Sequence, residues 1–224
     1  MSTLDAGGIE FRMLPDSPEY RLLVELASCG NDLHEAADSI DFAIGRQLEG
    51  ALPSVAERAL IDHATVAYCR AIDPQKFPRR LTDFVEIPAE SRELHDLIRQ
   101  YRNNNVAHSK AELSSTLIEI PVEPENRVTR SGVTVLTLIQ PIPADIVDAW
   151  RRLIDVLLTQ LDEQMEVVSH ELEMRVAATP VSEVLAWPMG PAIQDRMSEE
   201  FDPKVPRVHY TQTLRRYWSS KTLD

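Results

Sequence analysis

One segment of the chain restricts its fold more than any other, because it runs from Ala144 to Thr179 without a glycine or a proline. Through this segment the apolar residues recur at steps of three and four, which marks one face of an α-helix. They are Ile146, Trp150, Leu153, Leu157, Leu161, Met165, Val168 and Leu172. At about 1.5 Å per residue such a helix is roughly 50 Å long, more than the width of a small domain. We therefore predict a long helix over about 144–176 that either projects or packs against a second copy of the chain.

The N-terminal half is also predicted to be helical. Apolar periodicity indicates a first helix over 18–50, with the Cys29–Asn31 stretch as a candidate interruption. A second helix over 53–72 begins at Pro53, a residue suited to the first helical turn. A third helix follows over 88–101. Together with the long helix, these segments predict a mainly α fold built as a helical bundle.

Two regions depart from the helical pattern. Residues 116–122 and 133–139 are rich in β-branched and apolar residues and flank a polar link, so we predict an inserted β-hairpin over about 115–140. Repeated prolines exclude long elements from residues 178–224. We expect one helical domain over 1–177, followed by a Pro-rich, basic C-terminal tail over 178–224 that contains short helices.

The basic end of this tail has two interpretations. Residues 203–221 contain five Lys or Arg and no acid, and His, Tyr and Trp residues lie between them. Such a segment can bind single-stranded nucleic acid through phosphate contacts and base stacking. It can equally lie on the acidic body of its own chain or of a partner chain.

Net charge restricts the partners. The formal charge of −13 repels polyanions at long range and argues against general nucleic-acid binding. The window from Lys76 to Lys110 is an exception, because its seven Lys and Arg exceed its five Asp and Glu. No segment reaches the roughly 20 apolar residues that span a bilayer, and no basic and apolar leader follows Met1. We expect a cytoplasmic protein without membrane contact.

The chemistry predicted for the chain lies in the positive window, at the end of the third helix. The sequence there is Arg102-Asn103-Asn104-Asn105-Val106-Ala107-His108. At 100° per residue, His108 falls about 20° from Tyr101 on the apolar stripe, and Arg102 about 100° from it. Three asparagines are poor helix formers and indicate a loosened turn with available amides. A histidine, a permanently charged arginine and amides on one face can bind a phosphate and move a proton.

This string resembles a known signature. Arg102-Asn103, three further residues and Ala107-His108-Ser109, at the end of a helix beginning Leu94-His95-Asp96-Leu97-Ile98, are similar to the motif of the HEPN superfamily. That motif is an arginine, four to six residues of which the first is polar, and a histidine. The segment Ala67-Tyr68-Cys69-Arg70 also resembles a helix that precedes the motif in bacterial HEPN-like proteins. The resemblance implies a HEPN-like helical bundle over residues 20–110 and 144–176.

The resemblance also implies an activity. Family members are metal-independent endoribonucleases that work as homodimers, commonly as toxins or in defence against phage. If the motif residues have the roles they have in the family, His108 would act as general acid or base, Arg102 would stabilise charge on the phosphate, and Asn103 would orient the site. RNA binding would draw further on Asn104, Asn105, Arg99, Lys110 and Arg70. No cofactor and no metal is expected.

Two other functions stay open on the same residues. A non-catalytic dimeric binding protein would retain the motif for structure, with His108 packed in the core and Arg102 paired with Asp96 or Glu93. A regulatory protein would instead cover a basic partner with its acidic body and contact it through the tail. Catalysis predicts both motifs exposed in one positive cleft, whereas the structural role predicts a buried His108.

Overall fold

A computed structural model of the chain describes residues 11–45, 53–73, 79–106, 113–120, 133–189, 194–197 and 216–219, the last two ranges by their backbone alone. These residues are mainly helical, which confirms the predicted mainly α character of the fold. The helices are α1 (Pro18–Ile44), α2 (Val55–Ile72), α3 (Arg92–Tyr101), α4 (Ala144–Ala178) and α5 (Val181–Val184). Two short 3-10 turns, Leu81–Asp83 and Ala89–Ser91, come between α2 and α3. None of the helices in these ranges combines the length and the apolar character needed to cross a bilayer.

The long helix is confirmed, since α4 is continuous over 35 residues. Its stripe enters a core in which Trp150, Leu157 and Leu161 have no exposed surface. The core therefore anchors the part of α4 that carries the largest apolar side chains.

Helix α1 continues through the stretch that was expected to interrupt it. Gly30 lies in the middle of α1, and a Cβ atom added there would come within 3.3 Å of the Leu161 Cδ2 atom of α4. A glycine in a helix interior costs roughly 0.5–1 kcal/mol relative to alanine, but here it allows α4 to approach closely. The predicted interruption is therefore wrong, because the packing of α4 compensates for the poor helix propensity of glycine. Residues 46–50, which we assigned to the same helix, lie outside the described residues.

Helix α2 begins at Val55, two residues after the predicted start at Pro53. Ser54 is its N-cap, and the Ser54 hydroxyl accepts a hydrogen bond from the backbone N–H of Glu57 at 3.2 Å. The Glu57 carboxylate in turn accepts from the backbone N–H of Ser54. This reciprocal capping box satisfies two amide groups that a helix start otherwise leaves unpaired.

The predicted hairpin is confirmed by strands β1 (Ser114–Glu119) and β2 (Thr134–Ile139), which pair antiparallel. Ile118 lies opposite Val135, and Thr116 lies opposite Thr137 with their hydroxyl oxygens 3.2 Å apart. Every residue of β2 is exposed, although most of them are aliphatic. The hairpin thus presents apolar side chains to solvent on both faces.

The chain divides into two compact units. The first comprises residues 25–165 and contains most of the buried apolar residues, the hairpin and the candidate site. The second comprises residues 1–24 and 166–224, and there the Met13 N–H donates to the Pro188 carbonyl at 2.7 Å. In the second unit, helix α5 confirms a short helix in the tail, but strands β3 (Gln194–Met197) and β4 (Arg216–Ser219) pair in parallel and were not predicted. The two strands read Gln-Asp-Arg-Met and Arg-Tyr-Trp-Ser, and neither alternates apolar and polar residues as a half-buried strand does.

Candidate functional site

Helix α3, which ends at the motif, is fixed to α2 by a buried polar contact. The Tyr68 hydroxyl and the His95 Nδ1 atom lie 2.8 Å apart, and both residues are buried. The ring of Tyr68 also packs edge-on against Trp150 of α4 at 5.6 Å between centroids. Burial raises the pKa of Tyr68, while burial and the charge of Arg99 lower the pKa of His95. Both groups are therefore neutral near pH 7, and their hydrogen bond carries no net charge into the core.

The last turn of α3 is held at two further points. The Tyr101 hydroxyl donates to Asp62 Oδ1 at 2.7 Å, and Arg99 donates to Asp73 Oδ2 at 2.8 Å. Burial raises the pKa of Tyr101, and the hydrogen bond to Asp62 raises it further, so the phenol stays protonated. Since Asp62 lies within α2 and Asp73 caps its C-terminus, the motif begins on a rigid support.

The motif itself starts in a π-helical turn over Arg102–Val106. This confirms the loosened turn that the three asparagines predicted. A π-turn closes i→i+5 hydrogen bonds, is rare, and occurs often at functional sites. The count of 100° per residue does not continue through such a turn, so the angle predicted for His108 no longer applies. His108 and Lys110 lie outside the described residues, and their roles stay predictions.

Arg102 is the described residue whose surroundings bear most directly on function. Its NH1 group donates to Asn103 Oδ1 at 3.0 Å, whereas its buried Nε has no hydrogen-bond partner within the described ranges. Among the same residues no carboxylate forms an ion pair with it. The pairing with Asp96 or Glu93 that the non-catalytic alternative predicted is therefore wrong, and neither acid neutralises the Arg102 charge.

The asparagines of the turn add further polar groups. Asn103 and Asn104 are exposed, and Asn105 is half-buried. The Asn105 amide nitrogen reaches the Tyr101 carbonyl only at 3.5 Å, and its buried Oδ1 has no hydrogen-bond partner in the described part of the chain. A buried polar atom without a partner destabilises the fold by roughly 1–3 kcal/mol, so a ligand that pairs with it gains a corresponding advantage.

The other two candidate arginines, Arg70 and Arg99, differ from Arg102 because both are paired with acids. Arg70 donates to Asp32 Oδ1 at 2.8 Å and to Glu35 Oε2 at 2.5 Å, so two acids of α1 offset its charge. Arg99 is paired with Asp73, as described above. Neither arginine offers an unpaired cation at the motif, whereas Arg102 has no acid partner among the residues that the structure describes.

Cys69 lies close enough to Arg102 and Arg99 for both charges to affect it. Burial raises the pKa of the Cys69 thiol, and this effect exceeds the lowering by the two arginines. The thiol is therefore protonated at neutral pH, which excludes it as a strong nucleophile.

Histidine and carboxylate also meet on the outer face of α1 and α2. His63 Nε2 lies 2.6 Å from Glu35 Oε1, next to the Arg70 ion pairs. Burial alone would raise the pKa of Glu35, but the hydrogen bonds from His63 and Arg70 lower it. No group of three or more His, Cys, Asp or Glu side chains suited to a metal ion occurs among the residues that the structure describes.

Two contacts at the site could not be read from the sequence. The Tyr68–His95 and Tyr101–Asp62 hydrogen bonds join residues 27 and 39 positions apart. Pairing across such separations follows from how the helices pack, which no local pattern encodes.

No protein-family model, curated protein or solved structure matches the chain. The function is therefore inferred from the chain's own residues.

Proposed function

We propose that this chain is a metal-independent endoribonuclease of the HEPN kind, that it acts as a homodimer in the cytoplasm, and that it serves as a toxin or in phage defence. The observation that carries the proposal is the state of Arg102. A half-buried guanidinium without a carboxylate partner among the described residues is poised for an anion, and RNA supplies phosphates. Together with the sequence motif, this favours a phosphate site over a purely structural arginine.

The proposed chemistry requires only the motif residues. His108 takes the proton from a ribose 2′-hydroxyl, whose oxygen then bonds to the adjacent phosphorus while the bond to the 5′-oxygen breaks. A proton is returned to the departing 5′-oxygen, so the products are a 2′,3′-cyclic phosphate and a 5′-hydroxyl. Arg102 offsets the charge that builds on the phosphate, and Asn103, bonded to Arg102, orients it.

The hairpin supports the dimeric part of the proposal. Ile118, Ile120, Val133 and Val135 are each more than half exposed, and all four belong to one face of the hairpin by the strand register. Contiguous apolar patches of this kind mark interaction sites in soluble proteins. Two copies of a chain with a charge of −13 repel each other, and the repulsion is smallest when they meet through uncharged surfaces such as this face. Light scattering of the purified protein tests this directly, and a mass of one chain would contradict the dimer.

Cleavage of a mixed RNA pool in EDTA tests the activity. We expect wild-type protein to leave 2′,3′-cyclic phosphate ends and His108→Ala to be inactive. Arg102→Gln should lower the rate by about 10²–10³, the usual loss for one donor to a developing charge. Arg92→Gln is the matched control, because Arg92 begins α3, the helix that ends at the motif, and its side chain is 66% exposed. It should cleave like wild type.

Two results would contradict the proposal. One is cleavage that disappears in EDTA, and the other is equal cleavage by wild type and His108→Ala. Inactivity of a folded, dimeric wild-type protein toward RNA would favour the non-catalytic dimeric binding protein, in which Asn103 and Asn105 hold the turn.

A further inference from the structure

The unit of residues 25–165 contains a pocket of about 260 Å³ that the motif does not use. It lies where the end of α1, the start of α2, the last residue of α3, the exit of β2 and the start of α4 converge. Its walls are mostly aliphatic and include Ile44, Ile61, Ile139, Ile142 and Val147. A pocket of this size is slightly smaller than the usual drug-sized site, so it fits a compact hydrocarbon body.

The polar groups of this pocket are mainly acidic. Of the described residues, Glu57, Asp62 and Asp148 line it together with the cation Arg58. Glu57 serves the capping box of α2, and the Arg58 NH1 group donates to the Pro53 carbonyl at 3.1 Å. Two carboxylates therefore remain to meet a ligand.

Asp62 and Asp148 each have at least one carboxylate oxygen that accepts no hydrogen bond from the described residues. Asp62 Oδ1 accepts from Tyr101, but no described residue donates to Asp62 Oδ2. Asp148 is exposed at the pocket and has no ion pair within the described ranges. An anionic ligand would be repelled here, and a neutral apolar one would remove water from the carboxylates without replacing its hydrogen bonds.

We propose that this pocket binds a protonated primary amine on a compact hydrocarbon body, with Asp62 and Asp148 as partners of the ammonium group. The aliphatic walls enclose the body, and the ammonium donates to the open carboxylate oxygens. This inference goes beyond the proposed ribonuclease and does not depend on it.

Binding of phenethylamine and of isoamylamine at neutral pH, measured by calorimetry, tests the site. Both are protonated under these conditions. 2-Phenylethanol and 3-phenylpropionate have similar bodies with a neutral and an anionic end. We expect saturable binding of at least one amine, at least about tenfold weaker binding of the alcohol, and no binding of the propionate.

Three variants connect the binding to this pocket. Ala144→Phe, at an exposed position on the rim, should fill the pocket and abolish binding. Asp62→Asn and Asp148→Asn should each weaken it about tenfold. Asp145→Asn is the matched control, because Asp145 is an exposed acid three residues before Asp148 and does not line the pocket. It should bind like wild type, and thermal unfolding checks that every variant is folded.

Three results would overturn the proposal. They are the absence of saturable binding of both amines to wild type up to about 10 mM, binding that Ala144→Phe leaves unchanged, and equal binding of 2-phenylethanol and phenethylamine. None of them bears on RNA cleavage, so this proposal and the ribonuclease can fail separately.

Discussion

The helical core and the hairpin use the same aliphatic residues in opposite surroundings. Leu33, Ile40 and Ile154 have no exposed surface, whereas Ile118 is 73% and Val135 is 66% exposed. The helices bury their stripes against one another, but a two-stranded hairpin has no second layer and is marginally stable on its own. Apolar residues in the core thus serve the fold of the unit, and those of the hairpin are available for contacts outside it.

The largest effect that tests this contrast should come from Trp150. We expect Trp150→Ala to lower the free energy of unfolding by about 3–5 kcal/mol, because it removes a fully buried aromatic side chain that packs on Tyr68. Urea denaturation measures the loss. Trp150→Phe should cost less, since it also removes an indole N–H that has no hydrogen-bond partner within the described ranges. A loss below about 1 kcal/mol for Trp150→Ala would show that this part of the core is not well packed.

The next effect should come from the polar contact inside the core. Tyr68→Phe keeps the ring but leaves His95 Nδ1 buried without its partner, and we expect a loss of about 1–3 kcal/mol in unfolding free energy. Tyr20→Phe is the control, because the Tyr20 hydroxyl makes no hydrogen bond with the described residues. If both variants lost the same amount, the Tyr68–His95 hydrogen bond would not contribute to stability.

A smaller, pH-dependent effect should follow from His95. Its pKa in the fold is lowered from the ordinary value of 6.5, so the unfolded chain binds the proton more readily. The contribution of His95 to stability is therefore complete above pH 6.5 and is lost as the pH falls through the lowered pKa. Unfolding in urea at about pH 7.5 and about pH 5 should show a steeper loss for wild type than for His95→Gln. Equal losses would mean that other groups cause the pH dependence.

The smallest effect should come from the hairpin. Ile118→Thr and Val135→Thr replace exposed side chains with residues that also favour strands, so we expect changes within about 0.5 kcal/mol in dilute protein. Urea denaturation at low and high protein concentration measures this. A destabilisation that grows with protein concentration would show that the hairpin is buried between copies of the chain. A large loss at every concentration would contradict its separation from the core.

Periodicity predicted the elements well because helices and hairpins leave local patterns. Local residue patterns predicted three features: the long helix α4, the antiparallel hairpin and the loosened turn after Tyr101. The continuity of α1 did not, because Gly30 is explained only by Leu161 of a distant helix. At the site the sequence indicated Arg102 and the asparagines, but the acid partners that the non-catalytic alternative gave Arg102 were wrong. Which carboxylates neutralise which arginines is decided by helix packing, as the Arg70 and Arg99 ion pairs show.

The π-turn at Arg102–Val106 also affects how the chain tolerates changes in length. A π-turn holds one residue more than an α-turn between hydrogen-bonded groups, so it behaves as an insertion absorbed within a helix. Loss of one of the three asparagines could be accommodated by closing the wider turn into an α-turn. The contacts of Tyr101 and Arg99 with α2 precede the turn and would keep their places. The asparagine run thus allows the segment after the turn to change in length while the contacts of the helix before it stay the same.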